Sequence, residues 1–171
     1  TINHFLNFAR PQEPVLTTID FDKLVGDALS VVKPRATHQE VDVETCVATS
    51  LPKVLGDMRQ LGEVVVNLMV NALDEMPRGG RLKISVEPAT VDREGHLGTW
   101  TRIDVTDTGP GITETNLDRL FEPFFTTKAS GSGLGLAIVR STLQKHGGTV
   151  RISTAPGAGT TFSILLPGAE A

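Results

Sequence analysis

Cysteine is almost missing from this chain: Cys46 stands alone among 171 residues. One thiol cannot close an internal disulfide or build a cysteine zinc cage, and a reducing compartment suits such a chain. Long apolar runs are also missing. None reaches the roughly 18 residues a helical membrane span needs, and the start, "TINHFLNFAR", lacks a signal peptide's layout. A cytoplasmic location is expected for these residues, with any membrane anchor lying outside them. Positive charge is in deficit. The formal net charge of -4 argues against the basic footprint that a phosphate backbone calls for, so nucleic acid is not an expected partner. What is present is apolar content, 39% of the chain, enough for one buried core with an appendage.

The order of elements follows from periodicity. Ile2, Phe5, Leu6 and Ala9 recur at helical spacing until Pro11 and Pro14, which reads as the tail of a helix begun before residue 1. Such a stub is too short to stand alone and calls for a partner to pack on. Leu24, Ala28, Leu29 and Val32 predict a helix over 21–33, capped by Asp20 or Asp22. Val41, Val43, Thr45 and Val47 alternate as a strand. A long helix is expected over 58–76, ended by Pro77. A strand through Leu82, Ile84 and Val86 follows, then a loop through Gly95 and Gly98 and a strand over 99–106. A short helix over 114–121 capped by Thr113, a helix over 134–146 and strands over 149–154 and 160–166 complete the chain. Helices and strands do not alternate strictly, so an α+β two-layer sandwich is expected rather than a doubly wound sheet.

Three stretches carry chemistry. In the long helix that contains "NLMVNALDEM", Leu61, Val65, Leu68, Ala72 and Met76 define an apolar face, extended sideways by Val66, Val70 and Leu73. Glu63, Asn67, Asn71 and Asp74 form one polar stripe within about a quarter turn. A solvated face is the plain account. Asparagine is a poor exposed helix former, however, and its carboxamide oxygen is a hard ligand suited to Mg²⁺ beside phosphate oxygens. In "RIDVTDTGPGI", alternation puts Asp107 on the face of Thr101, Ile103 and Val105. A carboxylate aimed at a core needs donors or a ligand, such as an exocyclic amino group. Gly109 and Gly111 then allow close backbone approach, although a hairpin turn would use them as well. In "FEPFFTTKASGSGLGLAIV", Gly131, Gly133 and Gly135 lead into a helix whose free N–H groups suit phosphate. A glycine-rich linker is the alternative. Lys128 is placed to meet a phosphate, and Phe124 and Phe125 are expected to anchor the loop in the core. The loop fits neither the Walker nor the Rossmann pattern.

Taken in order, these stretches resemble the catalytic ATP-binding domain of sensor histidine kinases, in the GHKL superfamily of gyrase, MutL and heat-shock chaperone ATPases. "NLMVNALDE" is similar to the N box, "DTGPGI" to the first glycine box, "FEPFFTTK" to the F box, "GSGLGL" to the second glycine box and "GTTF" to the closing strand. The resemblance implies a Bergerat fold, with about five mixed strands and about three helices on one face. It implies residues 1–13 as the end of a dimerising helical hairpin and residues 14–171 as the catalytic domain. By it, Asn71 ligates Mg²⁺, Asn67 assists at the phosphates, Asp107 holds the adenine amino group and Thr160 supports Asp107. The nucleotide, ATP or ADP, would also touch Asp74, Gly109, Gly111, Ile112, Phe124, Thr127 and Lys128. Gly131, Ser132, Gly133, Leu134, Gly135 and Leu136 would line it from the second box, under a short lid over 129–133. Asn67, Asn71 and Lys128 are the implied catalytic residues. The implied partners are the hairpin's phosphoacceptor histidine and a response regulator, in a homodimeric full-length protein.

One position discriminates among reactions. Hydrolysing members of the superfamily have a glutamate four residues before the metal-binding asparagine, where this chain has Asn67. An amide is no general base, so transfer is favoured over hydrolysis, with Glu63 as the remaining candidate base. A GHKL ATPase clamp and a non-catalytic nucleotide-sensing module are the rival readings. His4, His38, His96 and His146 are all read as structural. His146 is expected as a cation at a helix C-terminus, capped by Gly147.

Overall fold

The computed structural model describes residues 13–93, 96–128 and 131–169. The expected helix through Ile2, Phe5, Leu6 and Ala9, with His4 on it, lies outside these residues. So do Gly95 and residues 129–130 of the expected lid.

Two strands too short for any periodicity to reveal, β1 (Thr17–Thr18) and β3 (Leu55–Gly56), pair antiparallel. Between them, α1 (Phe21–His38) starts at Asp20, whose side chain accepts the Lys23 N–H at 3.0 Å. The helix continues past the end expected at 33, straight through Pro34. A proline inside a helix costs about 3 kcal/mol. Burial of Val32 and Ala36 on either side of it offsets that cost, while Pro34 itself faces out.

The main sheet has five strands: β2 (Val41–Val47), β4 (Gly80–Arg93), β5 (His96–Asp107), β6 (Thr149–Thr154) and β7 (Thr160–Pro167). Their spatial order is β2, β4, β5, β7, β6. β2 and β4 run parallel and every other pair is antiparallel, so the sheet is mixed. The parallel pair needs a crossover, which α2 (Met58–Asp74) supplies. This helix begins at Asp57, whose Oδ1 accepts the N–H groups of Arg59 and Gln60, both at 3.0 Å.

The strand β4 is longer than expected, and Gly98, expected in a loop, pairs with Val91. Pairing between β2 and β4 stops at Val47 and Val86. Pro88, which has no N–H, therefore sits where that edge is free. Beyond it, β4 and β5 continue together as a two-stranded ribbon.

On the inner face, Leu82, Ile84, Val86, Ile103, Val105, Phe162, Ile164 and Leu166 are buried beneath α1, α2 and α4 (Gly135–Lys145). On α2 the buried sector is turned relative to expectation. Val64 and Met69 are fully enclosed, whereas Val66 and Val70 are only half-buried. The short α3 (Glu114–Leu117) ends four residues earlier than expected, buries no side chain, and takes no side-chain cap bond from Thr113. The outer face of the sheet carries exposed pairs such as Arg102 with Glu87 at 2.9 Å, a solvated surface of small energetic weight. The architecture is the expected α+β two-layer sandwich, with three helices on one side of a five-stranded sheet.

Candidate functional site

Asp107 ends the inward row Thr101, Ile103, Val105 and is 5% exposed. Burial pushes its carboxyl above the ordinary value, the backbone N–H groups of Gly109 and Thr160 partly oppose this, and Glu75 nearby adds to the rise. The Gly109 N–H donates to Oδ1 at 2.8 Å. A side chain at Gly109 would stand 2.9 Å from that oxygen and from Glu75 Cβ, so glycine is what lets the turn close beneath the carboxylate. Gly111 has φ +78°, and a Cβ there would collide with the Ala155 carbonyl.

Thr160 lies opposite Asp107 in the register and supports it through the backbone, not through its hydroxyl. That hydroxyl lies 3.0 Å from Thr154 Oγ1, which donates to the Gly159 carbonyl at 3.0 Å and accepts the Ile112 N–H at 2.9 Å. Thr154 thus ties the glycine turn to β6 and β7. Sequence reasoning missed it, since a threonine in "RISTAPG" gives no sign that it meets a segment 42 residues earlier.

Along α2, Asn67, Asn71 and Asp74 are all half-buried on one stripe. Among the described residues neither asparagine carboxamide has a hydrogen-bonding partner. Asp74 differs: its carboxylate is taken by Arg35 and by Lys128, the latter at 2.7 Å. Glu63 is paired with Arg59 at 2.9 Å, one turn further from Asn71, which leaves it poorly placed as a base.

The glycine loop meets this stripe. α4 starts behind Leu134, which makes no side-chain cap bond, so the first-turn N–H groups stay open. A Cβ at Gly135 would make ordinary contact with Asn67 Oδ1 at 3.8 Å, so the start of α4 lies beside the stripe. Gly133, at φ +67°, would clash with the backbone of Phe124 if it had a side chain. Ser132 Oγ accepts the Leu134 N–H at 3.4 Å. Leu134 is buried, and Leu136 and Ile112 pack partly on the core. Thr127 is exposed.

The expected anchoring by Phe124 does not hold. Phe124 is 62% exposed and has φ +67°, because its backbone turns to donate N–H to the Gly133 carbonyl at 2.9 Å. Phe121 packs on the core instead, and Phe125 lies half-buried beneath the Arg119 guanidinium, 4.5 Å from the ring centroid. His146 is likewise no cation. It is buried, its Nε2 accepts the Asp57 N–H at 3.0 Å, and an imidazolium has no lone pair for that role. Gly147, at φ +68°, does close the helix as expected. A cavity of about 370 Å³ lined by Thr18, Leu24, Met58 and Gly62 opens between α1 and the start of α2, and it contains none of the candidate residues.

A buried acid with a glycine turn, two helix amides without partners among the described residues, and open N–H groups at the start of a second helix are the features the fold brings together here. The family model described as "Histidine kinase-, DNA gyrase B-, and HSP90-like ATPase" matches residues 56–170, which hold all of these features. The chain belongs to that family. Among relatives of this ATPase family, sensor histidine kinase ZraS of Escherichia coli K12 is 32% identical over 166 residues, 97% of this chain and 34% of ZraS. The mycobacterial sensor histidine kinase MprB has a solved structure with TM-score 0.75 and 33% identity, covering 92% of this chain and all of that one. Full-length ShkA in complex with AMPPNP gives TM-score 0.81 at 29% identity, covering 99% of this chain and 35% of ShkA. The chain therefore spans about a third of the length of the curated relatives it matches. No helix among the described residues is long and apolar enough to cross a membrane.

Proposed function

We propose that this chain binds ATP with Mg²⁺ and serves as the catalytic domain of a two-component sensor histidine kinase. It presents the γ-phosphoryl to a histidine on a dimerising helical hairpin, from which the group passes to an aspartate of a response regulator. Asp107 would accept from the adenine amino group, with Gly109, Gly111 and Ile112 shaping the purine pocket. The N–H groups of Gly133 and Gly135 and the carboxamide of Asn67 would hold the phosphates. Among the described residues no three His, Cys, Asp or Glu side chains gather as a cation cage. The fitting cation is therefore one shared with phosphate oxygens, and the unpaired Asn71 Oδ1 is the protein ligand of the right hardness. Magnesium, when bound, neutralises phosphate charge. The chain's own part is to orient the γ-phosphoryl for in-line attack and to withhold a base from water.

The observation that carries this reading is Asn67. It stands where hydrolysis would need a carboxylate, and the nearest alternative, Glu63, is occupied by Arg59. The test is to mix the chain with labelled ATP, Mg²⁺ and the helical hairpin of its own full-length protein. Acid-labile phosphate on the hairpin histidine is expected, with slow phosphate release in its absence. Rapid acceptor-independent release would point to an ATPase clamp, and binding without transfer to a nucleotide-sensing module.

A further inference from the structure

Asp74 lies three residues past Asn71 on the polar stripe, and its two oxygens serve different elements. Oδ1 accepts from Arg35 Nη2 of α1, and Oδ2 accepts from Lys128 Nζ of the glycine loop at 2.7 Å. Glu75 Oε1 is 3.7 Å from the same ammonium. The Lys128 and Asp74 side chains are 29% and 26% exposed, against 62% and 66% for the surface pair Lys23 and Asp27. Solvent therefore competes less for this pair than for an ordinary surface one. Burial works to raise the Asp74 carboxyl, but the hydrogen bonds from Lys128 and Arg35 outweigh it and hold the group below its ordinary value, so it stays charged.

The placement along the stripe is specific. Glu75 touches Gly109 at the Asp107 end, while Asn67 faces Gly135 at the other. Asp74 and Asn71 fall between, with Asp74 on the Asp107 side. The Lys128 charge is felt at Asp107, where it favours the ionised form. A lysine has large rotamer entropy, and fixing it before a ligand arrives removes that cost from binding. An ammonium has three N–H donors, and Asp74 engages only one of them.

We propose that Asp74, itself tied down by Arg35, is a positioning residue that holds the Lys128 ammonium between the purine end and Asn71, where its remaining donors meet the nucleotide's phosphates at their nucleoside end. This rests on the nucleotide reading above. Because the contact falls on phosphates that ADP and ATP share, it strengthens both alike and leaves adenosine untouched.

The test is calorimetric binding of ATP, ADP and adenosine, each with Mg²⁺, to the wild-type chain and to Asp74→Asn, Lys128→Ala and the double variant. Each single change is expected to weaken ADP and ATP about tenfold, the scale of one charge-assisted hydrogen bond. At a pH well above the range in which Asp107 takes up its proton, adenosine should bind unchanged, and the double variant should be no weaker than Lys128→Ala. Arg35→Gln, which leaves α2 intact, should give a smaller loss that vanishes when Lys128 is already alanine. Additive losses, equal weakening of adenosine, a loss confined to ATP, or tighter binding in Asp74→Asn would each overturn the assignment. Should the wild-type chain bind none of the three, the nucleotide reading itself has failed.

Discussion

Asp107 is a carboxylate at the end of an aliphatic row, and its two neighbouring N–H donors do not fully offset the cost of its burial. Its raised pKa makes two opposite pH effects. The folded state holds this proton more tightly than the unfolded chain, so Asp107 favours folding at low pH, and that contribution is lost as pH rises through the raised pKa. Nucleotide binding runs the other way, since accepting from an amino group requires the ionised form. ADP affinity is therefore expected to fall on acidification, beginning above the ordinary carboxylate range, while Asp107→Asn binds about 10- to 100-fold more weakly and without that pH dependence. Titration calorimetry across pH on both chains checks this, and parallel profiles would remove Asp107 from the pocket. At this scale the sequence was legible wherever side-chain direction follows from strand or helix period, as for Asp107, Asn67 and Asn71. Arg35 and Thr154 were not, because each meets its partner across about 40 residues of chain and no local pattern records the meeting.

At the level of elements, local signals located the helix starts but not the influence of neighbours. Residue type narrows the first cap to Asp20 or Asp22 and the structure selects Asp20, whereas the Asp57 cap and the passage of α1 through Pro34 emerge only in the folded chain. Periodicity alone puts Gly98 in a loop, because strand pairing decides whether it is extended. The His146 link is a further case. Its Nδ1 lies 2.8 Å from the Thr142 carbonyl and its Nε2 accepts from Asp57, so the end of α4 is bonded to the beginning of α2. Replacing His146 by Phe leaves the Asp57 N–H buried and unpaired, at a cost of about 1–3 kcal/mol. His146→Gln, which keeps an acceptor, should lose less. Urea denaturation should order the midpoints as wild type, Gln, then Phe. Because α2 is about 25 Å long, ADP affinity of the folded variants should stay near wild type. An equal midpoint for Phe and wild type would show that the ring merely fills space.

For the whole molecule, the site depends on parts that the chain brings together only on folding: the α2 stripe, the end of β5 and the start of α4. The order of motifs in the sequence disclosed this assembly through family resemblance, while the five-strand order β2, β4, β5, β7, β6 is a matter of pairing that no single stretch specifies. A ligand that binds across these parts binds the folded state alone. At about 100 times its dissociation constant it stabilises the fold by about 2.7 kcal/mol. For a domain of this size, each kcal/mol shifts the melting temperature by roughly 2–4 °C, so ADP should raise it by roughly 5–10 °C. In Asp107→Asn the same ADP concentration is only about 1 to 10 times the weakened constant, which reduces the stabilisation to roughly 0.4–1.4 kcal/mol and the rise to roughly 1–5 °C. Thermal unfolding of both chains with and without ADP measures the two shifts. If they were equal, the nucleotide would be stabilising the fold from somewhere other than the site beside Asp107.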